Sequence, residues 1–388
     1  MRIVGWLLAL LVVASSLVSC ADEDLGAFPR ASTPVPTSEP RELAPGLLVD
    51  FWESPQPGWV LVVDGDPDYD EAAAWRLLLI DPATGELHGR LETGYWPHAT
   101  VSPDESVLFV DSDSPAGSLA AVRFSDLEVL WHLEGLRPSH SNPPRAPVAA
   151  LMVSRDGTVL YQVTLSTVVR AFDAESGALR GVGLVNSCSA VPSLWPGNTG
   201  TSVYISDCGG DPYRGDVAGD EFTVAYARQP LGLDEPRAAC GGTVRGSSGR
   251  TLAVTRAGRL VEVDENGRGS DLGSPLGDSV ADLPLVPLVI SEDGRWLLLP
   301  MREDTRNSGY VSAGALHRVE LGTRPASVAS YERPNGISYV ATGLEGAEIY
   351  VLDRDARELI VLDGQTLTEV RSFSVPHALM PVEVLVLP

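Results

Sequence analysis

The run Gly94-Tyr95-Trp96-Pro97-His98-Ala99-Thr100-Val101-Ser102-Pro103-Asp104-Glu105-Ser106-Val107-Leu108-Phe109-Val110, carried on through Ser118–Phe124 to Leu133, decides the fold. Short apolar runs alternate with turn residues, which predicts four strands: His98–Val101, Val107–Val110, Leu119–Phe124 and Glu128–Leu133. Ser102-Pro103-Asp104-Glu105 suits a type I turn, with Pro103 presetting φ and the Asp104 side chain bonding the turn backbone.

This unit returns along the chain. Its opening turn reappears as Ser54-Pro55-Gln56-Pro57-Gly58, Ser154-Arg155-Asp156-Gly157, Ser247-Ser248-Gly249 and Ser291-Glu292-Asp293-Gly294, with a weaker copy at Gly343-Leu344-Glu345-Gly346. Each precedes an apolar run. Acidic markers close the third strand at Asp81, Asp126, Asp173, Asp264, Glu320 and Asp363. One double gap between Asp173 and Asp264 leaves room for a further unit around Thr223–Arg228, which makes seven. A four-stranded unit repeating every ~40–50 residues predicts an all-β ring, a seven-bladed β-propeller of antiparallel blades. The spare apolar run Pro381–Leu387 could form the inner strand of the first blade, a role for which Leu47–Phe51 competes. In either case the two ends of the ring are sewn together.

The unit G-x-x-P-x-x-x-x-S-P-D-x-x-x-L-F-V, followed by D-x-x-T-G, resembles the YVTN-type seven-bladed propellers over nearly all of Leu47–Pro388. More distantly the chain is similar to the heavy chain of methylamine dehydrogenase. The resemblance is specific for fold and weak for activity. It implies a lactonase-like hydrolase, a redox-enzyme subunit or a propeller without chemistry. Trp131 resembles the tryptophan of quinone-binding propeller repeats, but the other units lack it.

Residues 1–19 read as an export signal, with Arg2 as the charged region and Ile3–Val13 as the apolar one. Leu17-Val18-Ser19-Cys20 resembles a bacterial lipobox, which implies cleavage before Cys20 and lipid attachment to it. A multiply acylated cysteine is a durable membrane anchor at ~0.8 kcal/mol per buried CH₂. Residues 20–45 carry five prolines among polar and acidic residues and read as an extended tether, with the propeller spanning 46–388. Ala21 rather than Asp after Cys20 favours the outer membrane in an organism with two. The expected location is the cell envelope, outside the cytoplasm.

Net charge is -24 and all 28 basic residues are arginine. That surface repels phosphate backbones, so nucleic acid is excluded as a partner. Cys188 and Cys208 flank a hairpin whose turn, Trp195–Gly200, centres near Asn198, so they fall opposite each other within disulfide reach. Cys188–Cys240 is the rival pairing, and three buried thiols the other alternative. No Cys/His spacing suits zinc.

His98 and His377 sit in parallel settings, Trp96-Pro97-His98-Ala99 and Val375-Pro376-His377-Ala378, each entering an inner strand of neighbouring blades. They form a candidate ligand or metal pair at the channel mouth. Asp64, Asp66, Asp68 and Asp70 alternate along one loop, a pattern suited to a hard cation, or equally to a solvated acidic loop. The chain has no nucleophile elbow, phosphate loop or dinucleotide fingerprint, and no cofactor is implied. The residues favour a binding or scaffold module for a protein or small ligand over an enzyme.

Overall fold

Second strands such as Val60–Gly65 are buried along their whole length, and the reason is their place in the stack. The computed structural model describes residues 40–387 except 66–74, 95–97, 105, 113–116, 137–147, 165–167, 185–192, 197–199, 207–212, 219–220, 227–237, 246–250, 256–258, 264–268, 276–287, 292–293, 302–312, 323–325, 344–345, 377 and 379. Among these residues every regular element is a strand, and the strands make seven sheets, one of six strands and six of four. Pairing is antiparallel throughout the described ladders. Val60–Gly65 and Val159–Thr164 are second strands with all six residues buried, because both faces pack on neighbouring sheets. Outer strands reverse this: Glu369–Ser374 alternates exposed and half-buried positions.

Apolar clusters lie between neighbouring sheets rather than at one centre. Leu61, Val63, Leu108 and Val110 join the first sheet to the second. Phe109, Leu119, Leu160 and Phe172 join the second to the third, and Val62, Ile80, Leu352 and Val361 join the seventh to the first. First strands of successive sheets touch from His98–Val101 around to Tyr339–Thr342 and Met380–Val386.

The competition for the first sheet is resolved by position. Met380–Val386 pairs with Val60–Gly65 as the inner strand, with Val384 opposite Val62 and Leu385 opposite Leu61. Leu47–Trp52 lies on the outer side of the same sheet against Glu86–Gly94, and Arg41–Ala44 adds an outermost strand. Two expectations are corrected here. Residues 41–44 belong to the sheet and not to the tether. The segment Ser54–Gly58 is no hairpin turn, because the strands it joins are not neighbours in the sheet. It crosses from the outer side to the second strand.

Turns between third and fourth strands repeat one geometry. Gly85, Leu127, Gly177 and Leu367 take left-handed φ of 75°, 56°, 72° and 55° at equivalent places. Each donates its N–H to the carbonyl four residues back, at Asp81, Arg123, Asp173 and Asp363. Arg123 therefore stands where the other units have Asp, and Asp126 is not the equivalent marker. Both leucines accept a conformation that costs an L-residue about 1 kcal/mol.

Trp131 has a structural task. Its Nε1 donates to the Ala174 carbonyl at 3.0 Å, and its ring fills the space a Cβ on Gly177 would need. Trp52 makes the same clasp to Phe124 at 3.2 Å, and Arg371 to Pro82 at 2.7 Å. Each outer strand thus grips the next sheet's turn. Trp131→Phe keeps an aromatic side chain but loses the hydrogen bond and part of the ring packed on Gly177, so stability in urea should fall by about 1–2 kcal/mol. An unchanged denaturation midpoint would show that the clasp contributes nothing.

Candidate functional site

One end of the stack carries tight turns, such as Ala174–Ala178; at the other end lie Gly65 and Trp75, which bound one of the longer connections in the sequence. Second strands run toward the longer connections and three of them end in a buried carboxylate. Asp64 is 0% exposed, Asp111 1% and Asp353 6%. Each follows an apolar run, as in Val60-Leu61-Val62-Val63-Asp64 and Val107-Leu108-Phe109-Val110-Asp111. A buried carboxylate needs a compensating charge or donors, and all three have them.

Arg76 Nε meets Asp64 at 2.9 Å across the adjacent strand. Arg333 reaches from the sixth sheet to Asp353 at 2.6 Å and to Glu358 at 2.5 Å. Burial works against the Arg333 charge, but the bonds with Asp353, Tyr331 and Glu358 hold its proton more tightly than usual. At Asp111 the compensation is indirect. The Gln162 amide donates to Asp111, and its oxygen accepts from Arg170 Nη1 at 2.7 Å. Arg170 also donates to the Leu136 carbonyl. Burial lowers the Arg170 pKa, with the Asp111 charge opposing that shift. These side chains line the meeting of the second and third sheets.

His98 opens its strand opposite Asp111. Ala99, next in line, packs toward the first sheet, so alternation turns His98 toward the third. The expected partner His377 lies outside the described residues, as do Asp66, Asp68 and Asp70. The described part of the acidic run, Asp64, is a buried strand residue engaged by Arg76 and not part of a solvated loop. No group of three or more His, Cys, Asp or Glu suited to a metal ion occurs among the described residues. Cys20, Cys188 and Cys208 also lie outside them. The hairpin between the last two pairs Ser193 with Ser206 and Pro196 with Val203, which centres it past residue 199 and not at Asn198. Cys240 lies in Ala238–Arg245, the first strand of its sheet.

A second polar feature sits at the seam. Glu383 on the closing strand is half-buried at the inner edge and accepts from the Tyr339 hydroxyl at 3.3 Å. Burial pushes its carboxyl up to about 7, with the Tyr339 bond pulling the other way. Asp64 reads in sequence only as part of an acidic loop, and neither Asp111, Asp353 nor the Glu383–Tyr339 pair stands at the end of a third strand, where the acidic markers fall. The signal was present as Asp directly after a four-residue apolar run.

The arrangement places charged groups at one mouth with their charges already matched. It offers donors and acceptors held in place, and among the described residues these carboxylates are each engaged by a partner. No family model matches the chain, and no curated protein matches it. Solved structures do. A protein from Lactobacillus plantarum superposes with a TM-score of 0.61 at 11% identity, over 86% of this chain and 100% of that one. A Bacteroides fragilis protein, assigned provisionally as a 6-phosphogluconolactonase, gives 0.59 at 12% identity over 86% and 99%. The β-propeller domain of Cps50 (Swd1) from Myceliophteria thermophila gives 0.54 at 14% over 72% and 86%. At these identities the likeness is one of fold, and the fold is a β-propeller.

Proposed function

We propose that the chain is a lipid-anchored protein of the cell envelope whose seven-bladed, YVTN-type propeller binds a protein or small ligand at the face with the longer connections. The observation that carries this reading is the state of the mouth carboxylates: Asp64 and Asp353 are ion-paired to arginines, and Asp111 reaches Arg170 through Gln162. Groups so committed orient and recognise; they do not move protons. The surplus of acid over base, 52 residues against 28, also disfavours an anionic phosphosugar as substrate.

The lactonase alternative is tested directly. With purified protein at pH 7, 6-phosphogluconolactone should hydrolyse at the buffer rate; a protein-dependent rate abolished by Asp111→Asn would replace binding with catalysis. The anchor is tested separately. Cys20→Ala should be exported and recovered in the soluble fraction, because the acyl attachment point is gone. Retention of that variant on membranes after a high-salt wash would place the anchor elsewhere.

A further inference from the structure

The tight-turn end holds a feature the repeat does not provide. Between the first and second sheets a cleft of about 510 Å³ opens to solvent, a size typical of small-molecule sites. Its floor is apolar: Val101, Val107, Phe124 and Leu387. At its outer lip stands Leu130, 42% exposed, one of the few large apolar side chains left in water. The wall is the crossing segment with Pro55 and Pro57, which joins two strands that are not neighbours in the sheet.

That wall is held in place at several points. Gly58 N donates to the Leu387 carbonyl at 2.7 Å, and Leu387 N to Trp59 at 2.8 Å. The Ser54 hydroxyl donates to the Ser125 carbonyl of the second sheet at 3.3 Å. The Trp59 ring stacks on His88 at 4.1 Å. The cleft is therefore formed before any ligand arrives, which lowers the ordering cost of binding.

The rim decides the ligand class. Asp104 accepts from the hydroxyls of Ser102 and Ser106 and from the Ser106 N–H; those bonds hold its pKa below the ordinary carboxylate value, so it stays charged. Arg123, the cation of the lining, is taken up by Asp126 and Glu128. Asp104 is thus the carboxylate of the lining, over an apolar floor, while the charge of Arg123 is matched by Asp126 and Glu128 beside the cleft. We propose that this cleft binds a small amphipathic cation, an apolar body seated on Phe124 and Leu387 with an ammonium group against Asp104. The site lies at the opposite end from the mouth of the preceding section and stands independently of it.

Three naphthalene probes of equal bulk test it: 1-naphthylmethylamine, the neutral 1-naphthylmethanol and the anionic 1-naphthylacetate, titrated by fluorescence at pH 7 and low salt. The amine should bind about fivefold tighter than the alcohol, the size of one partly exposed ion pair, and the acetate more weakly than either. Asp104→Asn should bring amine and alcohol together. Arg123→Gln frees Asp126 and Glu128 and should raise amine affinity, which keeps the test meaningful if Asp104→Asn disturbs its turn. Leu130→Ser should weaken all three probes. Equal binding of the three by wild type, or an amine preference untouched by both charge variants, overturns the proposal.

Discussion

Removal of Pro381–Pro388 is expected to unfold the whole sheet stack and not merely fray its end. The strand Met380–Val386 supplies the inner edge of the first sheet and ties it to residues more than three hundred positions earlier. Val384 and Leu387 are each 2% exposed, and Leu385 and Val386 pack against the clusters on either side. At about 1.5–3 kcal/mol for a fully buried aliphatic side chain and roughly half that for the partly buried Leu385 and Val386, the four contribute on the order of 5–9 kcal/mol. That rivals the 5–15 kcal/mol of net stability typical of a folded protein. The loss also bares Val60–Gly65, buried at all six positions, as an unpaired apolar edge prone to association. The truncated chain should show no cooperative melting transition near the wild-type temperature and should elute as aggregate. A melting temperature unchanged from wild type would mean that the ring does not depend on this closure.

How much of this was readable from residues alone follows from what each residue faces. Second strands are packed on both sides, so Trp59–Val63, Val107–Val110 and Glu348–Leu352 stood out as apolar runs, and their antiparallel partners followed. Hairpin turns were legible where Ser-x-Asp bonds its own backbone, as Ser154 and Asp156 do. The first sheet was ambiguous because Leu47–Phe51 and Pro381–Leu387 are equally apolar, and hydropathy does not distinguish an inner strand from an outer one. Marker spacing failed at Asp126 because Arg123 holds the place that Asp81, Asp173 and Asp363 fill in the equivalent turns, and the nearest acid lies three residues on. Asp111 and Asp353 were missed because their partners come from other sheets: Asp111 meets Gln162 fifty-one residues on, and Asp353 meets Arg333 twenty back. Local pattern carries no trace of such pairs.

Glu383→Gln is expected to stabilise the protein by about 2 kcal/mol at pH 8 and to do little at pH 5. The Glu383 carboxyl titrates near 7 in the fold against an ordinary 4.5, with burial as the main cause. Between those values the folded state holds the proton and the unfolded chain has lost it. This group therefore makes stability fall as pH rises through the window, by about 3 kcal/mol in total at ~1.4 kcal/mol per pH unit. A Gln side chain never ionises. Its oxygen can still accept from the Tyr339 hydroxyl, but its buried NH₂ lacks the matching acceptor and gives back ~1 kcal/mol. Tyr339→Phe should act in the opposite sense, since the carboxylate then loses the donor that lowers its pKa and the decline continues to higher pH. The depressed carboxyls do not confuse the measurement. Asp173, lowered to about 2 by the Arg180 bond, and Asp363, lowered by its Thr366 and Gln365 bonds, lose their stabilisation only as pH falls below their ordinary 3.8. Urea denaturation of wild type and both variants at pH 5, 6.5 and 8 isolates the effect. Because Glu383 lies on the strand that pairs the two ends of the first sheet, the same slope should appear in the protection of that strand's amide protons once the intrinsic pH dependence of base-catalysed exchange is divided out. If the Gln variant differs from wild type by the same amount at pH 5 and pH 8, Glu383 is not the group that couples ring closure to protons.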